Sequence, residues 1–231
     1  DADLARIAKI TSGFSGADLE NLLNESAIAA ASRNSKTISH KDMESAIEKV
    51  IMGPERKSRV LSDQEKNITA YHEAGHAIVA KVLPNTHPVH KITIISRGLS
   101  LGATWYLPEE DKHLQSKAFF RDDLAVALGG RVAEQLIYGV VSTGAEADLR
   151  TVTSIAREMV VRWGMSPVVG ALNYSEDGGA MVLGTQRPYS DAPAQLIDAA
   201  GKRISDKCLA QAVELLHDKS RTLDDRADPL P

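Results

Sequence analysis

Residues 72–76 read His72-Glu73-Ala74-Gly75-His76, a pentapeptide whose residue types and spacing suit metal-assisted hydrolysis. In a helix, residues four apart lie one above the other, so both imidazoles project from one face and can share a metal ion. Glu73, one residue beyond His72, can take a proton from a water that the metal acidifies. Ile68, Tyr71, Gly75, Ile78, Val79 and Val82 recur at helical spacing around the motif. Both histidines fall at the edge of that stripe, backed by core and open to a cleft. The bland alternative is a pair of surface histidines on an ordinary amphipathic helix. In a chain of 231 residues with 7 histidines, the pattern arises by chance at roughly the one-per-cent level.

A hydrolytic zinc takes three protein ligands and keeps one position open, so a third donor must come from elsewhere. Thr143-Gly144-Ala145-Glu146 fits a capping box, with Thr143 as N-cap and Glu146 at the third helical position. Asp148 then lies inside a helix, on the flank of an apolar face made by Leu149, Val152, Ile155, Ala156, Met159, Val160 and Trp163. A carboxylate turned toward a core needs a cation, although the helix N-terminal dipole accounts for it equally well. Glu134, in the largely apolar run Gly129-Gly130-Arg131-Val132-Ala133-Glu134, is the second candidate, with a pairing to Arg131 as its alternative. Glu109, Glu110 and Asp111 follow Pro108 in a loop-like stretch that suits solvent. His87 and His90 flank Pro88 near the motif helix and could stand behind the metal ligands. On these grounds the choice stays open.

The elements that must position these groups are mostly helices. Residues 1–52 read as a small helical module of three helices, with Ser15 capping a helix from Ala17 to about Ser32 and Ser39 capping the third. Gly53-Pro54 stops that helix, and residues 53–62 form a charged connector. From residue 63 to 231 a second unit carries the histidine helix to about Leu83 and two short strands, Lys91 to Ser96 and Leu101 to Leu107, across an Arg97-Gly98-Leu99-Ser100 turn. A helix apolar on most sides follows at about Ser116 to Tyr138, then helices at about Gly144 to Trp163 and Ala194 to Leu216. The expected fold is mainly α with a small β-hairpin.

Composition narrows the classes. Net charge is -4 with both signs interspersed and aromatic content is 4%, so nothing points to nucleic acid. The single cysteine, Cys208, excludes an internal disulfide framework and fits a small core residue in a reducing compartment. No apolar run approaches the ~18–20 residues needed to span a bilayer. The chain lacks an initiator Met and opens in mid-pattern at Asp1-Ala2-Asp3-Leu4, which reads as a piece of a longer protein.

Seven ordered stretches together resemble the FtsH family of membrane-anchored, ATP-dependent zinc proteases. They are Gly13-Phe14-Ser15-Gly16-Ala17-Asp18-Leu19, Gly53-Pro54-Glu55-Arg56-Lys57-Ser58, Thr69 through Ala77, Leu107-Pro108-Glu109-Glu110-Asp111, Gly129 through Glu134, Ser142-Thr143-Gly144-Ala145 with Asp148-Leu149, and Trp163-Gly164-Met165-Ser166. The resemblance implies one zinc per chain, with His72, His76 and Asp148 as ligands and Glu73 as general base. It also implies that residues 1–52 are the helical lid of an AAA+ ATPase, followed by a mostly helical zinc-peptidase domain. Gly16 and Ala17 would face nucleotide, with ATP and Mg held by a large subdomain that this sequence lacks. The family further implies polypeptide substrates, a homo-hexamer, and anchoring in a bacterial inner membrane with this part cytoplasmic, or in an organellar inner membrane. Departures are the absence of G-x-x-x-x-G-K-[ST], Glu146-Ala147 ahead of the aspartate, and a poorly matching last ~35 residues with Ala199-Ala200-Gly201 in place of acidic positions. Two other classes compete: a catalytically inactive assembly module of an AAA+ ring, and a zinc hydrolase of a small substrate.

Overall fold

Serine residues decide where the helices begin. In the computed structural model, which describes residues 3–55, 61–96, 101–106, 114–175, 189–219 and 223, Ser15, Ser39 and Ser62 each accept the backbone N–H of the third helical residue. The carboxylates of Asp18, Asp42 and Glu65 reach back to the serine N–H in return. These reciprocal boxes satisfy donors that a helix start leaves unpaired. They open α2 (Gly16–Ser32), α3 (His40–Met52) and α4 (Asp63–Val82).

With α1 (Leu4–Ile10), the first two build a small module around Ile7, Leu22, Met43, Ala46 and Ile47. Arg33 locks it from outside: its Nη2 donates to Asp42 Oδ1 at 2.6 Å. Hydrogen bonds from the Ser39 side chain and backbone, then Arg33, hold the Asp42 carboxyl down at about 2. Gly53 ends α3 at φ 86, where a side chain would be strained.

The second unit centres on α4 and α5 (Lys117–Tyr138), which pack with α6 (Glu146–Val161) and α7 (Asp191–Asp218). Ala74, Val79, Leu124, Leu128, Val132, Met159, Ala212 and Leu216 form its core. Cys208 lies in the same core, and burial pushes its thiol up to about 11. The α4–α5 contact is close because glycines meet there: a Cβ on Gly75 would lie 2.5 Å from the Gly129 carbonyl oxygen. The single apolar stripe expected on α4 is too narrow a description. Every residue from Glu73 to Ala80 is buried, because α5 and a hairpin cover different sides, whereas Val82 is exposed.

The hairpin pairs β1 (Val89–Thr93) antiparallel with β2 (Ala103–Tyr106), matching Lys91 with Trp105 and Ile92 with Thr104. Its first strand begins two residues before the expected start and ends at Thr93, and its pairing with β2 is irregular between Val89 and Lys91. The expected turn at residues 97–100 lies outside the described residues, as do 56–60 of the connector and Glu109, Glu110 and Asp111. The capping box expected at Thr143 does not form. Thr143–Ala145 is a 3-10 turn capped by Ser142, whose Oγ accepts from Gly144 N at 3.0 Å, and α6 starts at Glu146 without a side-chain cap. No described helix is long and apolar enough to cross a membrane.

Replacing Gly129 with Ala puts a Cβ 2.8 Å from the Gly75 carbonyl oxygen. Crowding of this kind costs about 1–3 kcal/mol, offset by up to ~1 kcal/mol of helix propensity. Urea unfolding should therefore show a net loss of stability. For Asp42, a folded value depressed to about 2 contributes stability that is present above the ordinary value of 3.8 and lost as pH falls through 2. Circular dichroism should show first-module helicity falling between those two values, and Asp42→Asn should flatten that limb.

Candidate metal centre

One helix and the start of another bring the sequence-selected donors together. His72 and His76 project from α4, one turn apart, and Asp148 from the first turn of α6. Their donor atoms all lie within 4.8 Å of one another. The two Nε2 atoms are 3.0 Å apart, and Asp148 Oδ2 sits 3.2 Å from His72 Nε2 and 3.7 Å from His76 Nε2. Two donors ~2.0–2.1 Å from a tetrahedral zinc are about 3.3 Å apart, so these separations fit.

The far side of each ring explains why the near side points inward. His76 Nδ1 lies 2.7 Å from the Val126 carbonyl oxygen. A carbonyl only accepts, so Nδ1 carries the proton and donates. Gly130 N, at 3.4 Å from the same nitrogen, is too distant to compete. His72 Nδ1 lies 2.7 Å from Glu134 Oε1, likewise an acceptor. Each ring therefore turns Nε2 toward Asp148, and in the neutral form the two lone pairs and the carboxylate make a donor set that a cation satisfies. Burial disfavours a charged His72, but the hydrogen bonds it donates to Asp148 and Glu134 outweigh it and push the imidazole up to about 9. A cation taken up there would have to displace a proton from His72.

Glu134 was one of the two third-ligand candidates. Its carboxylate lies behind His72, and its Oε2 accepts the Ser142 N–H at 2.8 Å. Burial would raise its carboxyl, but the bonds from His72 and Ser142 hold it below the usual range. The pairing with Arg131 is replaced by these contacts. Glu73 is buried beside the cluster, where Thr104 Oγ1 donates to its Oε2 at 2.7 Å. Gly130 leaves room for the two imidazoles: a Cβ there would lie 2.6 Å from His76 Nε2 and 2.5 Å from His72 Nε2.

Other candidates lie in different surroundings. His87 packs edge-on against Phe119, and His90 shares a cleft with Ile10, Glu44 and Trp105. Gly16 and Ala17 are exposed at the start of α2. Sequence reasoning missed Thr104, Gly130 and the Val126 carbonyl. The Gly129-Gly130 pair in an otherwise helix-forming run was the one available signal, since glycine there weakens a helix unless something must come close.

Comparison with known proteins matches residues 59–230 to peptidase family M41 and residues 1–45 to an AAA+ lid domain. A protein of Sphaerobacter thermophilus named ATP-dependent zinc metalloprotease FtsH 1 is 50% identical over 94% of this chain and 34% of its own length. The ATP-dependent zinc metalloprotease FtsH of Veillonella parvula is 48% identical over 100% of this chain and 36% of its own. That of Thermobaculum terrenum is 46% identical over 99% and 36%. The chain spans about a third of the length of these relatives.

Glu134→Gln should weaken zinc binding by about 10–100-fold while leaving the helical signal intact, since outer partners of metal-binding histidines carry that much affinity. Gly130→Ala should abolish binding by filling the site. Competition with a chromophoric chelator measures both.

Proposed function

We propose that this chain, which belongs to peptidase family M41, is the proteolytic part of an ATP-dependent zinc endopeptidase. Residues 1–52 would be its AAA+ lid, 53–62 the connector and 63–231 the peptidase domain. The observation that supports this most is the convergence of His72, His76 and Asp148 with a buried glutamate, Glu73, beside them. Those three side chains would hold one zinc. When bound, zinc supplies Lewis acidity, polarising the scissile carbonyl and acidifying water.

Every other part of the reaction falls to the chain's own groups. Glu73 is the general base: it takes the proton of the attacking water and returns it to the leaving amine. Its carboxylate keeps one orientation because Thr104 holds Oε2. Among the described residues the hairpin beside it has only two strands, and an outer edge can take an extended peptide by β-augmentation, using main-chain hydrogen bonds that tolerate many sequences. A small-substrate hydrolase has no use for such an edge.

The whole protein extends beyond this piece. Its ATP and Mg would sit on a large ATPase subdomain, facing Gly16 and Ala17 of the lid. The same reading gives a homo-hexameric ring that threads unfolded or damaged proteins, anchored through other segments in a bacterial inner membrane, or in an organellar one, with this part cytoplasmic in the bacterial case. No nucleic acid is part of it. An inactive assembly module is the second reading. Glu73 argues against it, since a metal held for structure alone needs no buried carboxylate beside its ligands.

Zinc content and casein or fluorogenic-peptide cleavage test the proposal together. The expectation is about one zinc per chain and cleavage that a chelator stops. Glu73→Gln should keep zinc and lose at least ~100-fold in turnover. Asp148→Asn should lose both zinc and cleavage. A folded wild-type chain that takes up no zinc would overturn the reading, and an active Glu73→Gln would overturn the base assignment.

A further inference from the structure

β2 is a two-faced strand. Successive side chains of a strand point to opposite faces, and here the two faces meet different modules. Thr104 and Tyr106 face the peptidase unit: Thr104 holds Glu73, and Tyr106 packs against the core around α4 and α5. Trp105, between them, packs against the first-module core of Ile7, Leu22, Met43, Ala46 and Ile47. Its indole N–H has no hydrogen-bond partner among the described residues, so packing holds it there.

β1 repeats the division. Val89 packs against the peptidase core, while Lys91, paired with Trp105 across the ladder, forms an ion pair with Glu48 of α3. Glu48 is buried and His90 borders the same cleft, so the irregularity in β1 turns two successive residues toward the first module. At the other end of β2, Gly102 lies against Glu73: a Cβ there would be 2.9 Å from Glu73 Cγ and 2.9 Å from its Oε1.

We infer that Thr104 is a positioning residue for Glu73, and that Trp105, seated in the core of the first helical module, holds Thr104 in register, so that the packing of that module sets the orientation of the base. The inference rests on the reading of Glu73 as general base. Thr104 Oγ1 lies 2.7 Å from the carboxylate and 3.1 Å from the Glu73 carbonyl oxygen; it has one proton, which goes to the nearer acceptor. That bond fixes one oxygen of the carboxylate, Oε2. Trp105 is one peptide unit away on a stiff strand, so a shift of the first module moves Thr104 rather than being absorbed by a loop. Nucleotide-driven motion of an AAA+ lid would then reach the base through two adjacent side chains.

The test uses the zinc-loaded chain with a fluorogenic peptide, and 13C NMR of the Glu73 carboxyl as a readout independent of turnover. Thr104→Val should lower kcat by about 10–100-fold with KM changed by less than about twofold, the size expected when a reacting group is misplaced rather than lost. Its zinc content should equal wild type and its Glu73 resonance should move. Thr104→Ser should restore both. Trp105→Ala should move the same resonance and lower kcat, Trp105→Phe should restore them, and the Thr104→Val/Trp105→Ala double variant should be no worse than Thr104→Val alone. Lys91→Met, which leaves the first-module core untouched, should shift the resonance in the same direction. A wild-type resonance and kcat in Thr104→Val overturns the positioning role; additive losses in the double variant overturn the coupling. If zinc-loaded wild type cleaves no faster than Glu73→Gln, the peptidase reading fails, while the resonance still decides whether Thr104 and Trp105 place Glu73.

Discussion

The site depends on one backbone contact, the approach of α4 to α5 at Gly75 and Gly129. Side chains on both helices would hold the axes apart, and the Gly75 and Gly129 backbones could not meet as they do. That closeness lets the Val126 carbonyl reach His76, lets Glu134 reach His72, and places Gly130 under both imidazoles. The core on either side is rich in alanine at the same crossing, with Ala74, Ala125 and Ala133 fully buried. Small residues therefore serve geometry here, and the larger Leu124, Leu128, Val132 and Met159 supply apolar burial around them.

Electrostatics then turns a tight packing arrangement into a cation site. Two acceptors fix the ring protons on Nδ1, and Asp148 adds negative charge on the open side, where its side chain is 26% exposed against 9% for His76. Without a cation, lone pairs converge unless a proton intervenes, and His72 is the group that takes it. Folding thus stores a demand for positive charge at one point between three side chains, while burial excludes water from the side facing α5.

Legibility from sequence followed the range of the interactions. The serine caps at Ser15 and Ser39 were readable because a cap bonds three residues ahead. The pair His72 and His76 was readable for the same reason. Asp148 against Glu134 was not decidable from spacing, because the answer lies in which oxygen faces which ring nitrogen across 62 residues of chain. Thr104 is unremarkable in a β pattern, and only the fold brings it to Glu73. The misplaced cap at Thr143 has a specific cause: Ser142 was already tied to Glu134 through its N–H, which leaves its hydroxyl to close a tighter turn on Gly144.

That tie bears on the part of the site with least local support. His72, Glu73 and His76 share one helix, so their spacing is guaranteed by a 1.5 Å rise per residue. Asp148 belongs to another helix, and its position depends on how α6 is launched and packed. Val152, Ala156 and Met159 fix the packing against the core. The launch is fixed by Glu134, which accepts His72 Nδ1–H with one oxygen and Ser142 N–H with the other. A single buried carboxylate therefore orients His72 and anchors the turn that delivers Asp148. Its ionised state is what both donors require, and both donors in turn keep it ionised. Glu134 thus ties α4, α5 and the turn ahead of α6 into one arrangement around the three converging side chains.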